Sequence, residues 1–327
     1  MNRRRISTIA LWVGLALAIA GTASGDEARY LRVGTGPPGE NHFPFGSLLA
    51  SAISAPPGLP CQHSGACGVA GLIAVASATA GSEANIQTIA EGRLDAALVE
   101  ADTPIPQDRK ADQIRAIGNL SLDQMHLVAL RDGPIHSMRD LKGKRISLGE
   151  EGSGTHWHAH QLLAALGFAD TDFKEDNLRS ALAADAMLAG KLDAFFVMDA
   201  APVPTVTELA KLKPLRLIGV TGPAVEKLRR TNALLEPSRI PGGTYAGIET
   251  DTPTIAVRLT FVVSAKLPDD LVYGITKSLW QPETQQMLND ARRGAMPITA
   301  AGAVTGLGVA LHPGAQRFYA ETKPVLR

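Results

Sequence analysis

The chain has 327 residues, 32 basic and 32 acidic, with 5% aromatics and two cysteines. That balance leaves no basic stripe for nucleic acid and no polybasic patch for a membrane surface. The length suits two domains of ordinary size.

Asn2-Arg3-Arg4-Arg5 precedes a nearly unbroken apolar run, Ile9 to Ala20, and then Ala23-Ser24-Gly25. A run of about twelve residues falls short of the roughly 20 that span a bilayer. The pattern predicts a cleaved secretory signal over residues 1–25, with Asp26 as the first mature residue. Without Arg3, Arg4 and Arg5, 29 basic residues face 32 acidic ones, a net charge of −3. The mature chain is expected in the periplasm, with no membrane-embedded segment.

Residues 30–53, YLRVGTGPPGENHFPFGSLLASAI, read as a strand, a Gly/Pro loop and a helix. A Pro/Gly-rich insertion follows, with Cys61 and Cys67 inside it. In an exported protein an even cysteine count at close spacing suggests one disulfide stapling the loop. Metal binding with His63 is the competing reading, weakened because it supplies at most three ligands. In TAGSEANIQTIAEG, residues 79–92, Ser82 reads as a helix N-cap with Asn85 one turn in.

The chain then repeats itself. EGRLDAALVEAD (91–102) is echoed by AGKLDAFFVMDA (189–200). Each ends a helix at Gly and enters an apolar strand through Leu-Asp-Ala. The opening strand–loop–helix also recurs, as KRISLGEEGSGTHWHAHQLLAAL (144–166). Two similar α/β lobes with mostly parallel, doubly wound sheets are expected. In such sheets ligands lie beyond the carboxyl ends of the strands, where helix N-termini favour anions. Thr35-Gly36 and Ser153-Gly154-Thr155 are the two candidate mouths, and Ser82 is a third.

EEGSGTHWHAH, residues 150–160, invites sharper readings. A hydrolase nucleophile is disfavoured, because the outer glycine spacing of the esterase elbow is missing and no Asp–His pair serves Ser153. His156 and His160 share a helix face and, with Glu150 or Glu151, could hold zinc or copper. Otherwise His158 and His160 belong to a solvated helix face, and His156, at the mouth, can meet a ligand carboxylate.

Several motifs in order resemble the TAXI-type solute receptors of TRAP transporters, a branch of the type II periplasmic binding proteins. They are VGTG…FPFG (33–46), AGSEANIQTIAEGRLDAALVEAD (80–102), SMRDLKGKRISLGEEGSGT (137–155), GKLDAFFVMDAAPVPTVTELA (190–210), IPGGTYAG (240–247) and LHPGAQRFY (311–319). The resemblance implies a two-lobed Venus flytrap that delivers a small organic anion or amino acid to an ion-driven membrane permease. Neither a cofactor nor enzymatic activity is expected, and a monomer is. The resemblance implies Thr35, Gly36, Phe43, Ser82 and Asn85 as ligand-facing residues; to these are added Glu100 and Asp102 at the end of the first-lobe strand, Ser153, Gly154, Thr155 and His156 at the second-lobe mouth, and Asp199 and Tyr245. An exported metal receptor using His156 and His160 is the alternative, with a secreted enzyme more remote. The chain departs from the family pattern at His42-Phe43, at Glu100-Ala101-Asp102 and at His156. A carboxylate such as Glu100 facing the ligand favours an amino acid or a bound cation.

Lobe 1 is expected over 26–125 and 255–327, and lobe 2 over 130–250. Apolar, β-prone crossings near 125–133 and 253–263 would form the hinge.

Overall fold

A computed structural model describes residues 28–57, 68–105, 113–291 and 299–322. The expected signal sequence and the Cys61–Cys67 disulfide lie outside the described residues. The first half opens with β1 (Arg29–Gly34), α1 (His42–Ile53), short β2 (Ser54–Ala55) and β3 (Val69–Ala70), β4 (Leu72–Ser77), α2 (Ser82–Ala90) and β5 (Ala96–Glu100). The long strand β6 (Ile114–Leu130) leads to β7 (Arg145–Ser147), α3 (Gly154–Ala165), β8 (Lys174–Asp176), α4 (Ser180–Leu188) and β9 (Ala194–Asp199). Next come α5 (Pro204–Leu212), β10 (Leu215–Leu217), α6 (Pro223–Thr231), β11 (Glu236–Ile240) and β12 (Thr252–Ser264). The chain closes with α7 (Asp269–Leu279), α8 (Pro282–Ala291) and α9 (Pro313–Thr322).

The strands run in the order β4-β1-β5-β12-β6-β9-β7-β8. β1, β4 and β5 are mutually parallel, as are β7, β8 and β9. Between these trios lie β12 and β6, antiparallel to each other and to the strands they flank. The sheet is therefore mixed. With 17 residues, β6 spans roughly 55 Å, enough to serve both halves. Its first part, Ile114 to Gln124, pairs with β12, and Gln124 to Ala129 pair with β9. The expected crossings, 125–133 and 253–263, map onto the end of β6 and onto β12.

The internal echo has a physical cause. Arg32 on β1 donates from its main-chain N–H and its guanidinium to Asp95, at 2.8 Å each, and reaches the Gly92 carbonyl at 2.9 Å. Arg145 on β7 does the same to Asp193 and to Gly190. In each half the Leu-Asp-Ala aspartate thus ties the entry of one strand to its parallel neighbour.

Alternation along the strands covers both sheet faces, as burial on two sides requires. Leu127 and Phe196 enter one core with Ile146 and Leu162, while Val128 and Phe195 enter another with Val206 and Leu209. In the first half, Leu31, Val33 and Leu49 pack with Val272 and Ile275 of α7 and Phe318 of α9. The C-terminal helices thereby return to the half where the chain began. No helix among the described residues is long and apolar enough to cross a membrane.

Candidate functional site

The carboxyl ends of β1, β5 and β9 and the N-termini of α2 and α3 converge on the seam between the two halves. The halves touch directly there. Asn41 donates its side-chain amide to the carbonyls of Ala200, at 2.7 Å, and Pro202, at 3.1 Å. Thr205 Oγ1 donates to the Gly39 carbonyl at 2.7 Å, and the Ala84 N–H to the Gly152 carbonyl at 3.0 Å. Gly81 has φ 132°, and a Cβ there would meet the Ser153 Cα at 3.1 Å. Glycine is what lets the starts of α2 and α3 approach so closely.

Many of the expected site residues are bound into the scaffold. Thr35 Oγ1 donates to the Ser77 carbonyl at 2.8 Å. Gly36 makes room for His42, whose Cβ would lie 2.9 Å from an added methyl. Phe43 is part-buried on the first turn of α1. The N-cap of α2 is Gly81, not Ser82, and the Ser82 hydroxyl instead accepts the Glu100 N–H at 3.1 Å. Asn85 donates to the carbonyls of Thr35 and Leu98, at 2.7 and 2.8 Å, joining the end of β1 to β5. Ser153 caps α3 by accepting the His156 N–H at 3.1 Å, and Thr155 Oγ1 accepts the Met198 N–H at 3.0 Å. Tyr245 is buried against the loop that follows Asp199. Its hydroxyl accepts the Val203 N–H and donates to His126 Nε2 at 2.9 Å. Because His126 Nδ1 faces the Gln124 carbonyl, that ring is the neutral Nδ1–H tautomer, and burial lowers its pKa to about 4.

The histidine cluster separates into two parts. The expectation that His158 lies on a solvated helix face is corrected: it is 2% exposed and ends on Asp102 at 2.9 Å. That face of α3 is covered by Asp102 of the other half together with α6 and Asn232 of its own. Asp102 also accepts from Asn232 at 2.6 Å. Burial pushes the Asp102 pKa up, but the His158 charge and the hydrogen bonds outweigh it and hold it low. His156 turns from the seam toward His160 and Glu175. The acid beside that pair is Glu175, neither Glu150 nor Glu151.

The centre of the seam is acidic. His42 Nε2 lies 2.8 Å from Asp123 and 3.6 Å from Asp199, all three buried. Burial would lower the His42 pKa, but the two carboxylates outweigh it and raise it well above 6.5, so the ring is an imidazolium. Asp199 accepts the N–H groups of Asn41 and Ala200, at 2.7 Å each, and burial raises its pKa to about 6. Glu40, buried beside Asp199, is pushed up to about 8, chiefly by loss of solvent. Glu100 is raised to about 7 by the same cause. Its carboxylate lies over Gly154, where any Cβ would fall 2.2 Å from an oxygen, and Oε2 has no hydrogen-bond partner.

Of this centre, sequence reading missed Glu40, His42 as a charged group, and Asp123. A signal existed for each. Glu40 and His42 flank the Gly/Pro loop, and Asp123 is a lone acid within an apolar strand. Among the described residues no Ser hydroxyl is hydrogen-bonded to a histidine ring. Ser121 donates to Asp123, and Ser153 is a cap.

Solved structures share the fold at low identity. A putative L-cystine ABC transporter protein from Listeria monocytogenes matches with TM-score 0.50 and 11% identity, over 81% of this chain and 96% of that one. A putative periplasmic sulfonate-binding protein from Methylobacillus flagellatus gives TM-score 0.49 and 14% identity, over 92% and 96%. An ancestral arginine-binding protein bound to arginine gives 0.47 and 14%, over 81% and 98%. The likeness is one of fold, the α/β architecture of type II periplasmic binding proteins. Residues 33–322 match one family along nearly the whole described chain, and the protein belongs to that NMT1-like family.

Proposed function

We propose that this protein is an exported, monomeric receptor that closes over a small amino-acid-like solute and passes it to a TRAP permease. The observation that carries the solute class is the charge of the seam. Four buried carboxyl groups, Glu40, Glu100, Asp123 and Asp199, lie around the His42 imidazolium; the only other imidazolium described beside them, His158, is paired with Asp102, and a Glu100 oxygen is unpartnered. Buried carboxylates without counter-charge are costly, and an ammonium group among them supplies it. The solute's own carboxylate suits the N-termini of α2 and α3, at Ser82 and Ser153–Thr155. A 2-oxo acid brings negative charge with no amine and is disfavoured.

The permease assignment rests on the ordered motifs shared with TAXI-type receptors. The ABC-transporter role of the structural neighbours belongs to those proteins. In this reading residues 1–25 are the periplasmic export signal, 26–125 with 255–327 form one lobe, and 130–250 form the other. The crossings near 125–133 and 253–263 bend, and the solute favours the closed state by touching both lobes.

A thermal-shift panel of amino acids, each paired with its 2-oxo acid, tests the solute class. A ligand at 100 times its Kd adds about 2.7 kcal/mol, which raises Tm by about 4 °C in a chain of this size. At least one amino acid is expected to do so while its 2-oxo partner does not. Equal shifts by the two partners would overturn the reading.

A further inference from the structure

A second set of donors lies on the outer side of α3. His156 and His160, four residues apart, present both Nε2 atoms to Glu175 on the edge strand β8. The His156 and His160 nitrogens are 3.2 Å apart, His160 is 3.2 Å from Glu175 Oε1, and His156 is 3.5 Å from it. The three donors form a nearly equilateral triangle. With zinc bonds of about 2.0–2.1 Å, the edge of a tetrahedral donor set is about 3.3 Å.

Protons leave one feature of this arrangement without a role: with each ring donating its Nε2–H to Glu175, the 3.2 Å approach of the two nitrogens to each other makes no hydrogen bond. A cation accepts all three lone pairs together. The set is also supported from behind. With its amide nitrogen as the donor, Asn177 reaches Glu175 Oε1 at 2.9 Å. Such outer contacts orient metal ligands. The side chains of His156, His160 and Glu175 are 19%, 33% and 27% exposed, so the face is held yet reachable.

We propose that His156, His160 and Glu175 form a divalent transition-metal site of the zinc type, with its fourth position open to solvent. Two imidazoles and one carboxylate suit zinc, copper or nickel over magnesium or calcium. The site goes beyond the solute reading and uses none of the acidic groups at the seam. Its failure would leave the amino-acid proposal untouched, and the reverse holds as well.

The test is calorimetric titration of Zn2+ into the chelator-stripped mature protein, in the absence of solute. One ion per chain is expected, with affinity reduced at least about tenfold by His160→Ala and by Glu175→Gln, and unchanged by His136→Ala. Circular dichroism confirms that these exposed variants keep the fold. Zinc binding that survives His160→Ala and Glu175→Gln but disappears in Asp123→Asn would place the ion at His42, Asp123 and Asp199 and overturn the proposal. So would the absence of stoichiometric zinc binding.

Discussion

Asp102→Asn is the sharpest perturbation of the seam, because it removes one charge from the pair that joins the end of β5 to α3. Both nitrogens of His158 face acceptors: Nδ1 the Gly154 carbonyl at 2.7 Å, Nε2 the Asp102 carboxylate at 2.9 Å. Only the imidazolium donates at both positions. Burial lowers the pKa of that ring, but Asp102 outweighs it and raises the value from 6.5 to about 9. The difference, 9 − 6.5 = 2.5 units, corresponds to about 3 kcal/mol at 1.36 kcal/mol per unit. Losing one partner of a buried pair costs about 3–5 kcal/mol, a matching scale. Because the folded pKa lies above the unfolded one, this stability is fully present below pH 6.5 and is lost as pH rises through 9. The Asp102 contribution, from a depressed pKa, disappears only in acid. Urea unfolding of wild type and Asp102→Asn at pH 6 and pH 10 reads both quantities. The variant is expected to be weaker by about 3 kcal/mol at pH 6, with the gap narrowing at pH 10. A gap below about 1 kcal/mol at pH 6, or one that does not change with pH, would refute the charged pair.

Other outcomes follow from the same geometry. Asn85→Ala strips the donors from two buried carbonyls and should cost about 2–4 kcal/mol by denaturant titration. Glu100→Gln removes a buried acid with one unpartnered oxygen. Unliganded stability at pH 8 should rise by about 1–3 kcal/mol, and the amino-acid thermal shift should disappear. The raised pKa values of Glu40, Glu100 and Asp199, about 8, 7 and 6, give stability that is present below their unfolded values and is lost as pH climbs through the folded ones. An ammonium ligand favours the ionised acids, so its affinity should increase from pH 6 to pH 8 in calorimetric titrations. Ser153→Ala, which removes the α3 cap, should cost about 1 kcal/mol in unfolding.

Local pattern made the architecture readable. The Leu-Asp-Ala echo is visible in sequence because Asp95 and Asp193 perform the same strand-entry task for Arg32 and Arg145. The glycine loops are visible because the start of α3 leaves no room for a side chain at Gly81, and the Glu100 carboxylate leaves none at Gly154. The mixed sheet was less legible, since nothing local says that β6 and β12 pair antiparallel with both trios. The seam was hidden for the same reason. His42, Asp123 and Asp199 are 81 and 76 residues apart in sequence and meet only when the halves are stacked. His158 looks solvent-facing on an isolated helix and becomes buried where α3 packs against α6 and Asp102. His156 and His160 were found by their helical spacing, whereas Glu175 comes from a different element with no marker of its own.

The most direct test of the amino-acid reading is native mass spectrometry of the exported protein, purified without denaturation, with identification of the released small molecule. One solute per chain carrying a protonatable amine is expected, displaced when Glu100 is replaced by Gln. A released carboxylic acid without an amine, retained by the Glu100→Gln variant, would contradict it.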